Sequence, residues 1–89
     1  MRSFQDAAGR EWLADAMEEA TPRHHGRWYL VFRPADGDGP VLPMPEVRWQ
    51  TRETAARTIN SMSLTELRRR LSAVLARAGR KAPVGAGQP

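Results

Sequence analysis

Residues 27–33, Arg27-Trp28-Tyr29-Leu30-Val31-Phe32-Arg33, set aromatic and aliphatic side chains on both alternating faces between two arginines. That pattern predicts a strand in the middle of a sheet rather than at its margin. Trp28, Leu30 and Phe32 fall on one face, Tyr29 and Val31 on the other. Pro34 to Pro40 is then dense in turn formers. Apolar residues return over residues 41–48, but Pro43 and Pro45 cannot donate to a ladder, so this stretch is predicted at an edge or partly in polyproline form.

The hydrophobic period then lengthens. Thr51 can cap a helix running through Ala55, Ala56 and Ile59 to about Asn60, and Ser63-Leu64-Thr65-Glu66 matches a capping box that opens a second one. In that second helix Leu64, Leu67, Leu71, Val74, Leu75 and Ala78 form a stripe about 100° wide, the expected core face. Gly79 is the expected stop. Residues 1–78 are read as a single domain and residues 79–89, poor in apolar side chains, as a flexible tail.

The first twenty residues fit two patterns. Trp12, Leu13, Ala16, Met17 and Ala20 have helical spacing, which favours a helix from about residue 4 to 20. Against it, Asp6-Ala7-Ala8-Gly9 has aspartate and glycine where a type I turn wants them, so Phe4 and Trp12 could lie on two strands of a hairpin. The pattern Phe4-x-Asp6-x-x-Gly9-x-x-Trp12, followed by Trp28 and Trp49, resembles small uncharacterised bacterial proteins built as strands followed by helices. The resemblance implies the hairpin and carries no activity. The whole chain is thus expected to be α+β: a small antiparallel sheet of three to four strands, near residues 2–5, 10–18, 27–33 and 41–48, followed by two C-terminal helices.

With 89 residues there is room for one small core. The chain has no cysteine, which excludes disulfides, iron–sulfur clusters and thiolate zinc sites and points to a reducing, cytoplasmic setting. No apolar run is long enough for a signal segment or a membrane span, so no membrane partner is expected.

The net charge of +4 is unevenly spread. Residues 1–46 carry five arginines and eight acids, whereas residues 47–89 carry eight arginines, one lysine and two acids, giving −3 and +7. On the last helix Arg69, Arg70, Arg77, Arg80 and Lys81 project within an arc of about 120° opposite the leucines, with Arg68 alongside. Such a ridge could complement an acidic protein or follow nucleic-acid phosphates. A sequence-reading helix-turn-helix is disfavoured, because the first turn of that helix offers Leu64, Thr65 and the repulsive Glu66.

Catalytic chemistry is harder to find. His24 and His25 are adjacent and would project in opposite directions on an extended segment. Asp36-x-Asp38 lacks the other ligands of a calcium loop, and Gly37-x-Gly39 lacks the rest of a phosphate loop. There is no Gly-x-Ser-x-Gly elbow. No enzyme activity, metal or cofactor is therefore expected. If two helices cover only one sheet face, Tyr29 and Val31 would be exposed on the other and could meet a partner or a second copy of the chain. The expectation is a noncatalytic interaction or regulatory accessory module binding an acidic protein, with a nonspecific nucleic-acid binder using Arg68, Arg69, Arg70, Arg77, Arg80 and Lys81 as the alternative.

Overall fold

The computed structural model describes residues 1–19, 27–37 and 39–86, with side chains through residue 79. Four strands, β1 (Arg2–Gln5), β2 (Glu11–Glu19), β3 (Arg27–Pro34) and β4 (Leu42–Trp49), precede two helices, α1 (Arg52–Ser61) and α2 (Leu64–Ala86). The strands form one antiparallel meander in the order β1-β2-β3-β4, so β3 is internal and β4 is an edge.

The N-terminal segment is a hairpin, and its turn explains the aspartate and the glycine. Gly9 has φ +89, a conformation L side chains rarely adopt, and its N–H donates to the Asp6 carbonyl at 3.0 Å. Asp6 Oδ1 accepts the backbone N–H groups of Ala8 and Arg10, each at 2.9 Å. Its Oδ2 accepts the indole N–H of Trp12 at 2.9 Å. One carboxylate therefore fixes both the turn and the rotamer of a core tryptophan. The Phe4-x-Asp6-x-x-Gly9-x-x-Trp12 pattern is, in this chain, a folding device.

Strand β4 departs from regular pairing where its prolines lie. Leu30 is opposite Met44 but Tyr29 is opposite Arg48, so Pro45, Glu46 and Val47 bulge out of register. Pro43 faces Val31 from an edge strand, where a missing donor costs no internal ladder bond.

Both helices pack on one face. Thr51 caps α1 by accepting the Thr54 N–H at 3.1 Å, and Ser63 Oγ accepts the Glu66 N–H at 3.1 Å. The reciprocal half of the capping box is absent, because Glu66 turns to Arg70 at 2.7 Å. The end of α1 is tied to the sheet: Arg2 Nη1 donates to the carbonyls of Asn60, in the last turn, at 3.0 Å and of Met62, the C-cap, at 2.9 Å. The core joins Phe4, Trp12, Leu30, Phe32, Leu42 and Met44 of the sheet to Ile59, Met62, Leu67, Leu71 and Val74 of the helical layer.

Two expectations for α2 need correction. Its apolar stripe is narrower than the leucines suggest: Leu67, Leu71 and Val74 are buried, whereas Leu64 and Leu75, on the margin of the stripe, are about two-fifths exposed. The helix also runs past Gly79 to Ala86, since Gly79 is not among the glycines with positive φ and forms no left-handed cap.

Candidate interaction surfaces

The arginines of α2 do not share one solvent-facing ridge. Arg70 and Arg77 are seven residues apart and therefore share a flank of the helix, the one beside β4. There Arg77 makes a two-pronged ion pair with Glu46, at 2.6 and 3.3 Å, and Arg70 pairs with Glu66 while reaching the Met44 sulfur at 4.0 Å. Arg68 lies about 200° round from Arg70 and goes the other way, donating from Nε to the Gln5 carbonyl of β1 at 2.9 Å. Arg69 alone of the four points outward, 74% exposed and 3.9 Å from Glu66. The side chains of Arg80 and Lys81 lie outside the described residues.

The bulge in β4 is what brings Glu46 to Arg77. Their bond pulls the Glu46 carboxyl below its ordinary range and raises the Arg77 guanidinium above its own, each chiefly through the hydrogen bond to the other. Sequence spacing could place these arginines on a helix but not foresee the acid on a distant strand. Arg68, Arg70 and Arg77 thus brace α2 against both edges of the sheet.

On the open face the expectation for Val31 is overturned. Val31 is 1% exposed although neither helix covers it. Asp15 and Pro43 flank it across the sheet, and Tyr29 and Arg33 flank it along the strand. The 3.1 Å pair between Asp15 and Arg33 closes one side of that ring. Tyr29 is half-buried, opposite Met17 and Arg48, and Arg48 reaches Glu19 at 3.3 Å. Charge pairs flank the apolar centre of this face, while Met17 and Val41 are each 45% exposed.

A third cluster was not foreseen. At the end of the sheet Trp28 and Trp49 are cross-strand neighbours, the Arg52 guanidinium lies 6.0 Å from the Trp28 ring centre, and Arg27, Arg48, Trp49 and Gln50 line a shallow cleft. The signal available in the sequence was the arginine immediately before each tryptophan, Arg27-Trp28 and Arg48-Trp49.

Among the described residues no three His, Asp or Glu side chains gather as metal ligands. His24, His25 and Asp38 lie outside the described residues. No described helix is long and apolar enough to cross a membrane. Compared with protein-family models, curated proteins and solved structures, the chain matches none.

Proposed function

We propose that the protein is a noncatalytic interaction module, working in the cytoplasm, whose helical layer meets an acidic protein surface. The observation that carries this reading is the division of charge between layers. Residues 52–86, which hold both helices, have eight basic and two acidic residues, whereas residues 1–51, which hold the strands, have six arginines and eight acids. The asymmetry along the chain thus becomes an asymmetry across the molecule, a potential suited to steering an acidic partner toward the helices. Arg69 and the exposed Arg57 of α1 are the contacts to expect first, because they are not committed to bracing the fold.

The test is affinity capture from native lysate at low salt, with the double charge reversal R57E/R69E as the comparison. Recovery of a stoichiometric protein that is lost with R57E/R69E is the expected result. Equal recovery by both forms, or none by either, rejects the reading. The cations beside Trp28 and Trp49 favour a second reading, nucleic-acid binding through phosphates and stacked bases. Fluorescence anisotropy with oligonucleotides separates the two: affinity that falls steeply with salt supports nucleic acid, and no binding at about 50 mM salt rejects it.

A further inference from the structure

Strand β4 changes phase within its bulge. Leu42 and Met44, opposite Phe32 and Leu30, belong to the core under the helices, and Trp49, opposite Trp28, packs against that same core. From Met44 to Trp49 the chain advances an odd number of positions, so strict alternation cannot put both on one face. Alternation forward from Met44 sends Glu46 toward the helices, whereas alternation back from Trp49 sends it to the open face. The bulge resolves the conflict by taking two successive residues to the helical side, Val47 against the core and Glu46 to Arg77. Arg48 then resumes the alternation on the open face, opposite Tyr29.

One side chain spans the shift. Arg48 Nε donates to the Pro45 carbonyl at 2.6 Å, tying the first residue after the bulge to the first residue within it, and Arg48 Nη1 reaches Glu19 of β2 at 3.3 Å. On the other side of β4 a cavity of about 180 Å³, lined by Pro45, Val74, Arg77 and Ala78 among others, interrupts the apolar seam with α2 beside the Glu46–Arg77 pair. The seating of this part of α2 therefore depends on which way Glu46 faces.

We infer that Arg48 is a positioning residue: by pinning the bulge from the open face it holds Glu46 on the helical side, and so couples the Glu19–Arg48 pair to the seating of α2. An exposed ion pair contributes little stability by itself, and the Arg48 side chain is 41% exposed. Its leverage is on the phase of the strand, where a slip of one residue would turn Glu46 away from Arg77. Arginine suits the task because its rigid fork holds two acceptors in fixed directions, here one on its own strand and one on β2. Arg48 and Arg77 share no hydrogen-bonding partner; the bulge is what links them.

The test uses the full chain. R48K keeps a charge beside Glu19 but loses the Nε donor, and it leaves Arg77 and Arg70, the cations that act on Glu46, in place. In R48K the Glu46 carboxyl, followed by NMR, should titrate higher than in the wild type, rising toward its ordinary 4.5 as the bond from Arg77 weakens. Urea denaturation of R48M, R77M and R48M/R77M should show the coupling: the double variant should lose less than the two single effects combined, by about threefold or more in the unfolding equilibrium constant. The wild type supplies a readout independent of any variant, since the bonded Arg48 Nε–H should exchange with water several-fold more slowly than that of Arg69, whose side chain is 74% exposed. The inference is overturned if Glu46 titrates in R48K as it does in the wild type, if the R48M and R77M effects are independent, or if the Arg48 Nε–H exchanges as fast as that of Arg69.

Discussion

Strand β3 carries two kinds of buried residue side by side. Leu30 and Phe32 are fully enclosed under the helices, with Phe32 edge-on to Phe4 at 5.9 Å and the leucines of α2 beyond. Val31, on the opposite face, is as well hidden, yet its described neighbours are a charge pair, a proline and its own strand. The first enclosure is dense, apolar and built by distant parts of the chain. The second is thin and partly ionic. Equal burial therefore does not mean equal stabilisation, since what a residue loses on truncation depends on how its surroundings can close over the gap.

Truncation should expose that difference. Phe32→Ala removes an aromatic ring from the centre of the helix–sheet interface and should cost about 3–5 kcal/mol, measured by urea denaturation at equilibrium. Val31→Ala should cost about 1–2 kcal/mol, because fewer carbons are lost and neighbouring side chains can settle into the space. If both variants lost the same stability, the open face would be as tightly built as the covered one and the contrast would fail.

The contrast also marks how far the sequence could be read. The central position of β3, the edge position of β4 and the cap of α1 depend on local chemistry: alternation on two faces, prolines without donors, and a threonine hydroxyl before a helix. Each is decided within a few residues, and each appears in the fold as the pattern predicts. Val31 and the arginines of α2 depend on partners far along the chain. Beside Val31, Asp15 of β2 reaches Arg33 of β3, a pairing that spacing along the chain does not announce. Whether Arg77 faces solvent turns on a bulge that puts Glu46 within 2.6 Å. Helical spacing placed Arg70 and Arg77 together, as they are, but could not tell a solvated ridge from a brace. The same holds for Gly79, whose φ is set by how the helix continues rather than by glycine's freedom to end it.

Bonded carboxylates have a consequence that apolar packing does not share, and acid is the way to see it. On the covered face the Trp12 indole donates to the Asp6 carboxylate. That bond, foremost, together with backbone N–H groups in the turn, holds the Asp6 carboxyl below its ordinary value of 3.8. A carboxyl whose value is lower folded than unfolded binds fewer protons in the native state, so its contribution is complete above the unfolded value and declines as the pH falls through the folded one. Glu46, lowered from 4.5 chiefly by Arg77, adds a loss of the same sign on the other side of the molecule. Thermal stability should thus fall as the pH drops from about 5 to 2. Asp6→Asn, which keeps an acceptor but cannot titrate, should start less stable at neutral pH and show a shallower acid decline, read by melting temperature across that range. The Phe32 packing has no proton to gain and should be indifferent to the same change. An acid profile for Asp6→Asn that ran parallel to that of the wild type would leave Asp6 with only the geometry of the turn.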